Sequence, residues 1–112
     1  MITWDDFKKV EMRVGTIIQV EDSPQARNPS YKLLIDFGES GIKRSSAQIT
    51  ELYKKEVLLN SQVIAVTNLP PETNSPDQIG VSECLVLGVV VDNKEVVLLK
   101  PEREVANGTG IA

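Results

Sequence analysis

Met12-Arg13-Val14-Gly15-Thr16-Ile17-Ile18-Gln19-Val20 repeats with a period of two, placing Met12, Val14, Thr16, Ile18 and Val20 on one face and Arg13, Gly15, Ile17 and Gln19 on the other. It reads as a long, partly buried strand. Downstream, Asp22-Ser23-Pro24 and Asn28-Pro29 break regularity, and alternation resumes from Tyr31 to Phe37 with Leu33, Ile35 and Phe37 directed inward. Gly38 and Gly41 mark a turn. A third alternating run, Ile42 to Ile49, sets Lys43, Ser45, Ala47 and Ile49 against Ile42, Arg44, Ser46 and Gln48, so polar residues populate both of its faces.

Thr50 can cap a helix of about two turns that runs through Glu51, Leu52, Tyr53, Lys54 and Lys55 and ends near Asn60. Gln62 to Leu69 is the next strand. Pro70 to Gly80 is a long loop, and the apolar runs Leu85 to Val91 and Val96 to Leu99 flank Asp92-Asn93-Lys94-Glu95, the composition of a tight hairpin. Upstream of the long strand, Thr3 caps a short helix over Trp4 to Lys9, where Trp4 and Phe7 share a side and are expected to staple the helix onto something apolar. Asn107-Gly108 and Gly110 place turns in the tail.

Short strands with one small helix between the third and fourth predict an all-β fold: a five-stranded OB-fold Greek-key barrel. A β-sandwich needs more strands, and a parallel sheet needs a helix after most of them. The chain of 112 residues, 41% hydrophobic and 25% charged, fits a single domain over 1–112 that folds around one core.

There is no histidine, so Ser-His-Asp and Cys-His chemistry are excluded and the commonest metal ligand is absent. The single cysteine, Cys84, opens an apolar strand and reads as a buried, inert thiol; it cannot form an internal disulfide, which favours a reducing cytoplasm. No stretch approaches the ~18 apolar residues of a membrane span, so membrane insertion is not expected. Paired acids such as Asp5-Asp6 and Glu21-Asp22 read as helix-start and loop charges, and Gly38 and Gly41 lack the spacing and lysine of a phosphate loop. The expectation is a binding protein without catalytic activity, metal or cofactor.

A net charge of -4 argues against general coating of nucleic acid, but the charge is uneven. Arg27 to Lys55 holds six cations against three acids, a net +3, while the remainder carries six against thirteen, a net -7. The same window spans the second and third strands and the end of the loop from Ser23 to Ser30, the surface on which OB-folds bind oligonucleotides together with the loop before the fifth strand. Arg27, Lys32, Lys43 and Arg44 are therefore candidate phosphate contacts, and Ser46, Gln48, Asn68 and Ser82 candidate partners for sugars or bases. Aromatic residues are only 4%, so stacking platforms for single strands are scarce and structured RNA is favoured. The alternative is apolar peptide capture beside the long loop, with Leu69 and Ile79 as candidate contacts.

Asp6-Phe7, Val10-Glu11-Met12-Arg13-Val14-Gly15, Ala26-Arg27, Tyr31-Lys32-Leu33, Ile35-Asp36-Phe37-Gly38, Ser45-Ser46-Ala47-Gln48-Ile49-Thr50, Asn68-Leu69-Pro70-Pro71 and Ser82-Glu83 together resemble the CsaA-type secretion chaperones of the tRNA-binding-domain family. The similarity runs nearly end to end and includes Leu98 to Pro101 and Val105 to Gly108. It implies an OB-fold with short N- and C-terminal extensions, a homodimer, and two kinds of ligand: tRNA, and unfolded or precursor polypeptides. It also implies a role in protein export, with the translocation machinery as a further partner. The wider family includes the C-terminal appendix of methionyl-tRNA synthetases and the tRNA-binding domain of phenylalanyl-tRNA synthetase β chains. In those relatives the Ser-Glu pair is typically followed by Gly-Met; here Cys84-Leu85 follows, as in the CsaA-type branch.

Overall fold

β1 (Met12–Asp22) is the spine of the molecule, long enough to serve two partners in succession. Its first half pairs antiparallel with β4 (Gln62–Val66), from Met12 opposite Val66 to Thr16 opposite Gln62. Its second half pairs antiparallel with β2 (Tyr31–Asp36), from Thr16 opposite Asp36 to Asp22 opposite Tyr31. The computed structural model that shows this describes residues 1–23, 29–73, 81–92 and 95–112. β2 also pairs with β3 (Ile42–Ala47), and β4 with β7 (Leu85–Val86), giving the antiparallel order β3-β2-β1-β4-β7. With α2 (Lys55–Leu58) between β3 and β4, this is the expected five-stranded OB-fold barrel.

The core follows the alternation of β2, whose Leu33 and Ile35, with Phe37 just beyond, are at most 1% exposed and pack with Ile17, Leu58, Val63 and Ala65. Burying each such side chain contributes on the order of 1.5–3 kcal/mol. Strict alternation fails in β1. A bulge between Ile17 and Gln19 inserts Ile18 as an extra residue, so Ile17 is fully buried while Ile18 is 39% exposed, and Val20 returns to the core side. Just before the bulge, Gly15 lies against β2: a Cβ there would stand 2.6 Å from Ile35 Cγ2 and 2.7 Å from the Phe37 ring.

α2 is shorter than its pattern predicts. Tyr53 is committed elsewhere: its carbonyl accepts from Tyr31 OH at 2.8 Å, and its own hydroxyl accepts from Leu98 N at 3.0 Å. Lys54 is consequently extended (φ -89, ψ 154), and helix begins only at Lys55. Asn60 ends the turn in the left-handed region (φ 70) and donates its N–H to the carbonyl of Ile17, at 2.7 Å, beside the bulge.

β5 (Glu72–Thr73) and β6 (Val81–Ser82) form a two-stranded pair at the base of the long loop. The apolar run from Leu85 divides at Leu87, after which β8 (Gly88–Asp92) and β9 (Glu95–Leu98) form the expected hairpin, with Val89, Val90 and Val91 exposed. The C-terminal segment returns along β1: Val14 N–H donates to Thr109 O at 3.0 Å and Ile111 N–H to Met12 O at 3.0 Å. Gln62 and Thr16 fasten it, both donating to Asn107 Oδ1, at 3.1 and 2.7 Å.

α1 (Trp4–Lys8) carries the predicted cap in full, with Asp6 N–H donating to Thr3 Oγ1 at 3.0 Å and Thr3 N–H to Asp6 Oδ2 at 3.1 Å. The expected staple is missing, since Trp4 is 83% exposed and Phe7 39%. The helix has only five residues, and its end is tied by Asn68, whose Nδ2 donates to Lys9 O at 2.7 Å. Among the described residues no helix is long and apolar enough to cross a membrane.

The close approach at Gly15 gives a direct test. Gly15→Ala is expected to lower the unfolding free energy in urea by about 1–3 kcal/mol, with the m-value unchanged, because the added methyl must displace Ile35 or Phe37.

Candidate ligand-binding surface at the barrel seam

β3 is the edge of the sheet, and its outward backbone groups need partners. The segment that passes it supplies them largely from side chains. Arg44 N–H donates to Glu83 Oε1 at 2.9 Å, Ser46 N–H donates to Ser82 Oγ at 3.1 Å, and Glu83 N–H donates to Arg44 O at 2.8 Å. Deeper in, buried Ser45 donates to Cys84 O at 3.4 Å. Ser82-Glu83 thus closes the barrel, which accounts for a side-chain hydrogen-bond acceptor at each of the two positions without a ligand.

Register separates the predicted site residues. Lys32 lies opposite Ser46, and Leu34 opposite Arg44, so Lys32, Arg44 and Ser46 belong to one group of facing strand positions. Lys43 lies opposite Ile35, on the barrel side, where its charge helps to hold the carboxyls of Glu11 and Glu83 down. Asn68 stands apart: its Oδ1 accepts from Glu11 N at 2.9 Å and its Nδ2 binds Lys9 O, so its amide ties the α1–β1 junction to the end of β4. Arg27 and Ile79 lie outside the described residues.

The cations are partly spoken for. Lys55 bonds Asp22 at 2.8 Å, which raises its pKa, and Arg44 Nε donates to Glu83 Oε1 at 3.2 Å. The Glu83 carboxyl is held below its ordinary value, first by the Arg44 N–H and then by the Arg44 side chain. Glu11 is lowered likewise by Arg13 and then Thr67.

Beside the seam bonds a cleft of about 370 Å³ opens. Ser46, Gln48 and Ser82 give it a polar side; Leu69, Leu85, Val96 and Leu98 give it an apolar one. Four predicted residues therefore meet here: Ser46, Gln48, Ser82 and Leu69. Leu85, Val96 and Leu98 escape sequence reasoning because apolar residues in strands read as core; only the excess of apolar strand over what one small barrel can bury signals them. The arrangement offers hydrogen bonds, an apolar recess and nearby positive charge, all suited to binding.

Cys84 also borders the cleft. Burial pushes its thiol up to about 11, and among the described residues no group of three or more acids and cysteines could hold a metal ion.

These features define an OB-fold ligand-binding domain, and comparison with known proteins gives its kinship. The family model described as a putative tRNA binding domain matches residues 12–110. The crystal structure of chaperone CsaA from Bacillus anthracis str. Ames superposes with a TM-score of 0.93 at 45% identity, covering 100% of this chain and 99% of that one. The CsaA chaperone protein from Picrophilus torridus gives 0.89 at 46% identity, with 100% of both chains covered. The methionine–tRNA ligase of Pyrococcus abyssi (strain GE5 / Orsay) is 34% identical over 110 residues, 98% of this chain but only 14% of the ligase. The chain belongs to the tRNA-binding-domain family, as a protein of the CsaA type.

Two measurements test this description. The Cys84 thiol should react with a disulfide reagent at about pH 8 at least tenfold more slowly in the native protein than in urea, since burial disfavours the thiolate. Folding lowers the pKa of Glu11 and Glu83, so their stabilisation is complete above the ordinary carboxyl value of 4.5 and is lost as pH falls through the lower native values. Melting temperature should accordingly decline in acid below about pH 4.5 and not be lost between about pH 5 and 7 through these groups.

Proposed function

We propose that the chain is a non-enzymatic, CsaA-like protein-export chaperone of the cytoplasm that binds unfolded or precursor polypeptides and retains tRNA-binding character through the OB-fold surface. The observation that carries this reading is the cleft at the seam, where an apolar wall of Leu69, Leu85, Val96 and Leu98 faces Ser46, Gln48 and Ser82, close in sequence and register to Arg44 and Lys32. An extended polypeptide can place an apolar side chain in the recess. RNA can lay phosphates on Lys32, Arg44 and Arg27 while Ser46, Gln48 and Ser82 serve sugars or bases; Lys43, on the barrel side, and Asn68, whose amide is committed to Lys9 and Glu11, are left out of this contact set. The net charge of -4 suits a basic, apolar export signal and keeps RNA affinity modest.

A dedicated module for structured RNA, acting in trans on tRNA without a chaperone role, is the second reading. It is favoured by the family match over residues 12–110 and by the similarity to a 14% share of a methionine–tRNA ligase.

Homodimerisation is part of the proposal. Ile2, Trp4 and Phe7 on α1 and its approach are exposed apolar side chains, Phe7 the least so, and a second copy can bury them. Two copies would present two seams to one folded RNA and raise avidity where both reach it. Contact with the translocation machinery belongs to the export role.

Anisotropy titration of bulk tRNA at about 50 and 200 mM salt, with a signal-sequence peptide as competitor, separates the readings. Engagement of about three cations predicts roughly 20- to 40-fold weaker tRNA binding at the higher salt, whereas peptide capture should change little. Arg44→Ala is expected to weaken tRNA binding roughly 3- to 10-fold with the fold intact; unchanged affinity removes Arg44 from the site. Leu69→Asp should weaken peptide binding and spare tRNA. Peptide that neither binds nor competes would leave the RNA-module reading.

A further inference from the structure

Arg44 is the best-placed cation of the proposed surface, yet Glu83 grips it from three directions. The Arg44 N–H donates to Glu83 Oε1 at 2.9 Å, the Arg44 Nε donates to the same oxygen at 3.2 Å, and the Glu83 N–H donates to Arg44 O at 2.8 Å. The two backbone bonds of Arg44 are enough to close the seam. A neutral side-chain acceptor would serve them equally well, so closure does not explain why an acid stands there. What the acid adds is a negative charge fixed beside the guanidinium.

That charge cannot swing aside as a surface carboxylate ordinarily does, because its oxygen is tied to a backbone amide and its own backbone to the same residue. The Arg44 side chain is still 58% exposed, and among the described residues its terminal nitrogens have no hydrogen-bond partner. A phosphate can therefore reach the outer edge of the guanidinium while the carboxylate remains behind it. Taking this surface as the RNA site, we propose that Glu83 is a specificity-determining residue: a pinned anion that orients Arg44 and offsets its charge, so limiting the hold of the surface on phosphate backbones.

Glu83→Gln isolates the charge, since the amide oxygen can accept both Arg44 bonds. The variant is expected to bind bulk tRNA about 2- to 5-fold more tightly at about 100 mM salt, the range of an exposed ion pair, with a steeper salt dependence. Glu83→Asp, which keeps the charge, should not gain affinity. In a double-mutant cycle, Arg44→Ala should cost a larger factor in the Glu83→Gln background than in the wild type, because the arginine released from its acid contributes more. Equal costs, or a folded Glu83→Gln variant with unchanged or weaker tRNA binding, would overturn the proposal. If Arg44→Ala is itself without effect in both backgrounds while tRNA still binds, the fault lies with the placement of the RNA site.

The wild-type protein supplies a readout that does not depend on the variant folding. The Arg44 Nε–H resonance, held by Glu83, should exchange slowly with solvent and shift on titration with tRNA. A resonance that exchanges as fast as a free arginine, or that ignores bound tRNA, contradicts the role.

Discussion

A five-stranded sheet can become a barrel only if its two edges meet, and here they meet through the side chains of Ser82 and Glu83 laid against β3. Full backbone pairing along the whole of β3 would leave no gap. The side-chain seam instead holds the strands together at Arg44 and Ser46, and the cleft opens beside these bonds, with Ser45, Ser46, Ser82 and Cys84 in its lining. Closure and cleft are thus two results of one arrangement. The same geometry accounts for the unusual polarity of Ile42 to Ile49: Ser45 is buried against Cys84 O, Arg44 and Ser46 meet the seam through their backbone, and Gln48 borders the cleft.

Much of the barrel is legible in the sequence because its strands obey simple rules. Leu33, Ile35 and Phe37 alternate inward as the pattern says, Thr3 and Asp6 form a capping box, and a short helix falls between the third and fourth strands. Departures occur where a local rule meets a tertiary demand. Alternation carries no mark of an inserted residue, so the bulge at Ile18 and the burial of Ile17 are invisible to it. Capping propensity at Thr50 yields to Tyr53, whose carbonyl and hydroxyl are both used by other strands and which holds the chain extended up to Lys54.

The site is harder to read than the fold because serine, asparagine and glutamate serve backbone and ligand with the same atoms. Asn68 looks like a base-edge partner in sequence and acts as a clamp on Lys9 and Glu11 in the structure. Ser82 is placed for either use, accepting from Ser46 N–H while bordering the cleft. Charge counting has the same weakness. The basic window contains Lys55 and Arg44, but Asp22 and Glu83, both outside the window, are their partners. On the proposed reading, what remains for phosphate is a small set of cations, which favours recognition by shape over tight electrostatic capture.

The most direct test of the seam as the working surface is to map backbone amide shifts of the 15N-labelled protein during titration with tRNA. The shifts should concentrate at Lys32, Arg44, Ser46, Gln48 and Ser82, with a signal-sequence peptide moving residues of the same cleft, Leu69 and Leu85 among them. Shifts confined to α1 or the C-terminal segment, with the seam silent, would contradict the assignment of function to this surface.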